Sequence, residues 1–168
     1  MSILALCRWL ADTDFATALR GSSWVYPIVL TCHLVVLTLF GGMLLMSDLR
    51  LLGFALTDLP VSQVVGRLRP WKRLGLVLML TIGFFLFAAK AAEYWENPWF
   101  RTKVTLLLLA GVHALAFRSR VYGRTAEFDA LPQLPGEAKA AAWISLILWT
   151  GIVCAGRAIG YYEGSGPF

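Results

Sequence analysis

The chain has 168 residues, of which 58% are hydrophobic and only 15% are charged, and its formal net charge is +5. Soluble domains usually carry about 25% charged residues, and here the apolar residues gather in long blocks, so the composition argues against a soluble globular protein. The basic residues lie in short segments between these blocks, as in membrane proteins, and this placement argues against nucleic-acid binding. We predict an all-α integral membrane protein that forms one domain over residues 1–168.

The first predicted element covers residues 1–22 and begins "MSILALCRWLADTDFATALR". Arg8 interrupts its short apolar run, and Asp12 and Asp14 follow without a clear cleavage site, which argues against a signal peptide. We therefore predict an amphipathic helix that lies at the membrane interface.

Four membrane spans are predicted at about residues 24–46, 73–94, 98–119 and 139–161. Between Arg20 and Asp48 no charged residue occurs, so the first span is amply long. The charge-free cores of the other three are shorter than the roughly 20 residues that a helix needs to cross the hydrocarbon. Some charged residues should therefore lie at membrane depth, and we expect the spans to pack as a four-helix bundle.

Basic residues are unequally divided between the two ends of the predicted bundle. We call the end on the N-terminal side of span 1 the proximal end, and the other the distal end. The distal end holds Arg50, Arg67, Arg69, Lys72, Arg73, Arg118, Arg120, Arg124 and Lys139. Because cytoplasmic loops are enriched in Lys and Arg, the distal end is predicted to be cytoplasmic and both termini to lie outside.

The two histidines of the chain, His33 and His113, both occur inside apolar runs. A helix rises about 1.5 Å per residue, which puts His33 near the midplane and His113 roughly 5 Å further toward the distal end. Spans 1 and 3 run in the same direction, so the imidazoles are predicted to face each other as the two axial ligands of one haem b iron in the bundle core. Such ligation leaves no open site and favours electron transfer. The alternative is that each histidine hydrogen-bonds to a neighbouring helix.

Three basic residues lie toward the proximal end on different spans: Lys90, Lys103 and Arg157. Because cationic side chains bind carboxylates well, we predict that they meet the haem propionates. Glu93 lies one turn from Lys90, so an ion pair is the alternative there. Gly41, on the same face as the first histidine, is expected to make room for the macrocycle, although plain helix packing explains it equally.

The segment "WVYPIVLTCHLVVLTLFGGMLLMSDLRLLG" (Trp24 to Gly53) resembles the first span of a family of uncharacterised bacterial four-helix integral membrane proteins. Its pattern is an aromatic residue and Pro27, then His33, Gly41–Gly42 and Asp48–Leu49–Arg50. The segments "NPWFRTKVTLLLLAGVHAL" and "WTGIVCAGRAIGY" resemble the third and fourth spans, and the likeness covers most of residues 20–162. It implies a multi-pass protein of the bacterial inner membrane, in which the charge asymmetry predicts both termini to be periplasmic.

A first-span histidine followed by Gly-Gly also resembles, more distantly, HemJ-type protoporphyrinogen oxidases and copper-resistance D-like membrane proteins. The HemJ-type likeness implies haem b held by that histidine and by a lysine of a later span. His33 matches the histidine by motif, whereas Lys90 and Lys103 match the lysine by residue type alone. His113 matches no motif of these families, so its assignment as a ligand depends on the depth argument.

The predicted function is that of a small b-type cytochrome-like membrane protein that binds one haem b between spans 1 and 3 for electron transfer. Two alternatives remain: a non-catalytic transmembrane subunit of a respiratory or photosynthetic complex, and a HemJ-like haem-dependent oxidoreductase. Whether the protein is an enzyme stays open. Expected partners are the lipid bilayer, other membrane subunits or a second copy, and a redox partner or quinone.

Overall fold

The computed structural model describes residues 2–162, which are helical with short connections and contain no strand. The α-helices, in chain order, are α1 (Ile3–Ala11), α2 (Asp14–Gly21), α3 (Val25–Leu52), α4 (Arg67–Ala89), α5 (Ala91–Glu96), α6 (Pro98–Ala116), α7 (Thr125–Phe128) and α8 (Gly136–Ile159). A π-helical turn, Ser62–Gly66, leads into α4, and a second one, Arg118–Tyr122, follows α6. The all-α prediction is confirmed for these residues.

Three helical segments are long and apolar enough to cross a membrane: Val25–Leu52, Ser62–Ala89 and Gly136–Ile159. They correspond to predicted spans 1, 2 and 4. The predicted third span is α6, which has 19 residues and carries Arg101, Lys103 and His113. These polar side chains lower its hydropathy, so α6 does not meet the same requirement by composition.

The helix ends differ from the predicted spans in two informative places. Helix α3 continues to Leu52, past the predicted end at residue 46, and stops where Gly53 adopts a left-handed conformation with φ of 79°. Helix α4 ends at Ala89 rather than at residue 94, because Lys90 leaves the helical conformation (φ −138°, ψ 37°) before α5 begins. Charged residues therefore lie inside α3, and the chain turns earlier than predicted after α4.

The long helices form a packed series in which α3 lies against α4 and α8, and α8 lies against α6. Phe40 of α3 packs on Trp149 of α8 with ring centroids 5.1 Å apart, and it also covers Gly75 of α4. Leu106 of α6 contacts Gly151 of α8. These contacts fix which residues of neighbouring antiparallel helices share the same depth.

Much of the apolar surface of these helices points outward. Only 6% of the most apolar 18-residue window of α3 is buried within the protein. Large side chains such as Leu39, Leu108 and Val112 are each more than 60% exposed. Lipid acyl chains would cover such a surface at no hydrophobic cost, as the composition predicts.

The N-terminal segment forms two helices instead of the single interfacial helix predicted for residues 1–22. The chain breaks after α1, and the Thr13 side chain accepts a hydrogen bond from the Ala16 amide to start α2. Buried Cys7 and Ala11 pack on Ala91 of α5. Together α1, α2 and α5 cover the proximal end of the long helices.

The distal end is closed by a compact apolar cluster contributed by α3, α8, α7 and both π-helical turns. Its members are Leu51, Leu52, Val61, Val65, Val121, Phe128, Ala138, Ala141 and Ala142. Because alanines line this part of α8, the neighbouring helices approach it closely. The polar residues of the distal end are therefore held beneath a tight apolar layer.

Candidate functional site

The two histidines lie on opposite sides of the middle of the long helices, His33 in the proximal third of α3 and His113 near the distal end of α6. His33 is half-buried near the proximal end, where its Cε1 atom would lie 3.2 Å from a Cβ atom added to Gly83 of α4. His113 is three residues from the end of α6 and lies against the backbone of Ala141, near the beginning of α8. Its ring packs on Phe117, with centroids 4.9 Å apart.

The helix register converts these positions into a depth difference. Lys103 of α6 is close enough for its charge to act on the imidazole of His33, and its Nζ atom would lie 3.6 Å from a Cβ added to Gly156. His113 follows Lys103 by ten residues, about 15 Å of helix, and Ala141 is 15 residues from Gly156, about 22 Å. The two histidines therefore differ in depth by about 15 to 22 Å.

The prediction that the histidines lie at similar depth is wrong, and they do not face each other across one haem. The middle of each charge-free stretch, from which the depths were predicted, is not the middle of its helix. Asp48 and Arg50 are inside α3, and Arg101 and Lys103 are inside α6. The true helix centres are therefore displaced from the centres of the charge-free stretches, in opposite directions for the two helices.

His33 and Lys103 lie at the same level of the long helices, within the range over which the lysine charge acts on the imidazole, and we call these two residues the proximal pair. The Nδ1 atom of His33 is buried without a hydrogen-bond partner and faces α4. Lys103 is half-buried and extends along Gly156. A first-span histidine and a lysine of a later helix thus share one level of the protein, which spacing in the sequence alone could not establish.

The other predicted site residues do not join the proximal pair. Lys90 forms an ion pair with Glu93, with Nζ and Oε2 3.3 Å apart, so the alternative expected for this residue is confirmed. Arg157 is exposed and donates a hydrogen bond to the Tyr161 hydroxyl at 3.1 Å. Gly41 is half-buried, and an added Cβ atom would meet nothing within 4 Å. Of the three basic residues, Lys103 alone points into the packed helices.

A second polar group lies at the distal end, and we call it the distal cluster: Asp48, Ser47, Lys72, Ser145 and Tyr122. Asp48 and Ser47 are 2% and 1% exposed, and Ser145 of α8 is 3% exposed. The Lys72 Nζ atom donates to the Ser47 hydroxyl at 2.9 Å, and Ser145 lies beside the Asp48 carboxyl group. The Oδ2 atom of Asp48 is buried and has no hydrogen-bond partner.

Tyr122 belongs to the π-helical turn after α6 and faces the same carboxyl group. Burial, and then the charge of Asp48, raise the pKa of the Tyr122 hydroxyl above its usual range. This phenol therefore stays protonated at physiological pH and is available as a hydrogen-bond donor. The distal cluster combines residues of α3, α4, α8 and the segment that follows α6.

The sequence interpretation placed Asp48 at the boundary of span 1 and counted Lys72 among the cytoplasmic basic residues. One signal could have found the cluster. No residue that breaks a helix stands between Gly42 and Gly53, so the first helix could be expected to continue through Ser47 and Asp48.

Residues 2–162 contain no group of three or more His, Cys, Asp or Glu side chains placed to hold a metal ion.

No curated protein and no solved structure matches the chain. The likeness to HemJ-type oxidases and copper-resistance D-like proteins is therefore supported by the sequence pattern alone. A family model does match, over residues 11–162, and the matched range contains both the proximal pair and the distal cluster. The chain thus belongs to DUF6644, a family of unknown function.

Proposed function

We propose that the protein is a small b-type cytochrome-like membrane protein in which His33 and Lys103 hold one haem b between α3 and α6. The observation that carries this proposal is the shared level of the proximal pair, with a histidine of the first long helix and a lysine of a later one. The two helices remain those between which the sequence analysis expected the haem. The second ligand differs, because Lys103 replaces His113.

The environment of the proximal pair fits such a group. Burial of Nδ1 against α4 leaves Nε2 of His33 as the nitrogen available to a metal, and a neutral imidazole is a common haem ligand. A lysine inside hydrocarbon is costly as a cation, and coordination through Nζ keeps the amine neutral. Gly41 leaves open space beside α3, one further requirement of a flat macrocycle.

A haem held by both of these residues would supply one-electron transfer. The residues of this chain would orient the group and keep water from it. In this proposal α6 is the fourth membrane span and completes a four-helix bundle. The bilayer, a redox partner or quinone, and a second copy or other membrane subunits remain the partners we expect.

The orientation is part of the same proposal. The distal end, with its many basic residues, faces the cytoplasm, and both termini are periplasmic in the bacterial inner membrane. Reporter fusions test it. Alkaline phosphatase joined to the C-terminus should be active, whereas a fusion in the loop after α3 should be inactive. The reverse pattern would contradict the orientation without affecting the haem assignment.

An absorption spectrum of the purified protein tests the haem proposal. The wild type should be red, with a low-spin spectrum on reduction. His33→Ala should lose haem, and Lys103→Met should retain less haem or shift it toward the high-spin state. His113→Ala is the matched control and should keep the wild-type haem content. A colourless protein that also fails to take up haemin would refute the proposal.

The HemJ-like oxidoreductase alternative uses the same pair of residues and is separated by activity. If purified, haem-loaded protein oxidises a porphyrinogen or a quinol, and His33→Ala abolishes this, the enzyme is favoured over a simple electron carrier. Haem-loaded protein without such activity favours the carrier.

The third candidate, a non-catalytic subunit of a larger complex, is favoured by the outward apolar surface of α3. Partner helices would cover that surface as well as lipid does. Purification in mild detergent followed by native mass spectrometry distinguishes a surface covered by partner helices from one covered by lipid. Stoichiometric partner chains without haem would support the subunit, and a haem-containing monomer or homo-oligomer would argue against it.

A further inference from the structure

The distal cluster contains a carboxyl group for which the protein provides no countercharge in contact. In residues 2–162, the ion pairs closer than 4.0 Å are Lys90–Glu93 and Arg124–Glu127. Lys72 directs its ammonium group to the Ser47 hydroxyl, and Asp48 Oδ2 lacks a partner although the residue is 2% exposed. A buried, unpaired carboxylate is strongly disfavoured, and binding a proton removes its charge.

An open cleft lies at the end of α3, one helical turn beyond this carboxyl group. This cleft of about 540 Å³ is lined by Arg50, Leu52, Gly53, Leu59, Asp129 and Lys139, among others. Leu52 follows Asp48 by four residues, about 6 Å along α3. The cleft belongs to the distal loops and does not reach Asp48, which is 2% exposed; exchange of a proton with the cleft would therefore have to cross the apolar layer around Leu51 and Leu52.

We propose that Asp48 is the proton-binding group of an intramembrane proton-exchange site that communicates with the distal cleft. Its ligand is the proton itself, which resides on the carboxyl group and passes to and from water in the cleft. This function is independent of the proposed haem, since the distal cluster lies 15 residues from His33 on α3, about 22 Å away.

The neighbours of Asp48 fit this role. The ammonium group of Lys72 on α4, although it donates to Ser47, is close enough for its charge to act on the carboxyl group. The charge of Asp48 acts in turn on the Tyr122 hydroxyl, and Ser145 of α8 lies beside the carboxyl group. Arg69 lies near Lys72 on the same helix. His113 contacts Ala141, one turn of α8 from Ser145, so its imidazole is the nearest further titratable group from α6. Each helix around the carboxyl group thus contributes a group that can donate or accept a hydrogen bond.

A structural ion pair between Asp48 and Lys72 is the competing interpretation. An ion pair requires the ionised carboxylate at all physiological pH values, whereas the exchange site requires a protonated form that is lost as pH rises. The protonation state of Asp48 therefore decides between them, and it can be read without any cofactor.

Labelling with dicyclohexylcarbodiimide is the test, because this apolar reagent attacks protonated carboxyl groups in membrane proteins. Full-length protein in detergent is treated across a pH series and analysed by peptide mass spectrometry. Asp48 should be labelled at acid to neutral pH, with a several-fold decrease toward alkaline pH. Asp129 is the control, since it is exposed and accepts a hydrogen bond from the Ser62 amide. It should remain unlabelled throughout.

Two variants sharpen the result. Lys72→Met should extend the labelling of Asp48 to higher pH, because no ammonium group then favours the ionised form. Asp48→Asn should abolish the adduct and the pH-dependent infrared band of a protonated carboxyl group. If that variant does not fold, the wild-type peptide assignment still decides. Absence of an Asp48 adduct across the folded pH range, or a yield that does not change with pH, would overturn the proposal.

Discussion

The depth difference between His33 and His113 can be measured directly with pairs of spin labels. The starting protein has its native cysteines replaced by alanine: Cys7, Cys32 and Cys154. Two double variants are then labelled and compared. The first carries His33→Cys with His113→Cys, and the second carries His33→Cys with Lys103→Cys.

The structure sets the expected distances. Neighbouring helix axes are about 10 Å apart. Helices α3 and α6 both pack on α8, and if these two contacts are at right angles, the axes of α3 and α6 are about 14 Å apart. Adding an axial offset of about 15 to 22 Å gives roughly 20 to 26 Å for the first pair, against about 14 Å for the second. Label linkers broaden both values but preserve their order.

Electron paramagnetic resonance distance measurements read these values in detergent or in lipid discs. If the histidines were at similar depth, with an offset of roughly 5 Å, the first pair would be about 15 Å apart. The second pair would then be slightly longer than the first. A reversal of the predicted order would therefore refute the helix register and, with it, the pairing of His33 with Lys103.

Three further outcomes follow from the packing. Gly75→Ala should destabilise the protein by about 1 to 3 kcal/mol through overpacking, because the new Cβ would lie 3.1 Å from Phe40 Cδ2. The control is Gly42→Ala, whose new Cβ meets nothing within 4 Å. Thermal unfolding in detergent should show a lower midpoint for the first variant and an unchanged or higher midpoint for the second. Arg20→Met should cost about 1 to 3 kcal/mol and speed proteolysis of the N-terminal helices, because the guanidinium donates to two backbone carbonyls, at 2.9 and 3.4 Å; an unchanged digestion rate would contradict this. Burial raises the pKa of Tyr94 above its usual range, so its stabilising effect is present below about pH 10 and is lost at higher pH. Ultraviolet titration should show two late tyrosinates, Tyr94 and Tyr122, and Tyr94→Phe should remove one of them.

The helical content and the long apolar helices could be predicted from the sequence, because few structures other than a helix are stable for a long run of apolar residues. The local ion pair of Lys90 with Glu93 was accessible for a related reason. Its two members lie one turn apart on the same segment, so no knowledge of tertiary packing was needed. Interactions of this kind depend on spacing alone.

The depth of each helix was not accessible, because it depends on partners from elsewhere in the chain. Asp48 lies inside α3, where Ser145 of α8 provides a hydrogen-bonding neighbour for its carboxyl group. Arg50 stays there because its Nε atom donates to the Leu59 carbonyl at 2.8 Å. In the sequence, a charged residue indicates the end of a membrane span. In the folded protein, hydrogen-bond partners from other segments allow that residue to lie inside the helix.

The candidate site likewise contains one residue that could be predicted from the sequence and one that could not. His33 was singled out from its apolar surroundings and its likeness to known first spans, which are properties of one segment. The choice between His113 and Lys103 as its neighbour required the register of α6 on α8. That register is set by contacts between the two helices, such as Leu106 of α6 on Gly151 of α8. Because Gly151 has no side chain, α6 can approach α8 closely there. The sequence of α6 alone does not show which residue of α8 it contacts.

The position of Asp48 on the same helix as His33 has an electrical consequence. The two levels are about 22 Å apart on a helix that is long and apolar enough to cross a membrane, so they would span about three quarters of roughly 30 Å of hydrocarbon. A full crossing changes the energy of a unit charge by about 2.3 kcal/mol per 100 mV of membrane potential. A charge that moves between these levels, along a helix perpendicular to the membrane, would therefore change its energy by about 1.7 kcal/mol per 100 mV. The length of α3 would thus make any movement of charge between its two polar levels sensitive to voltage.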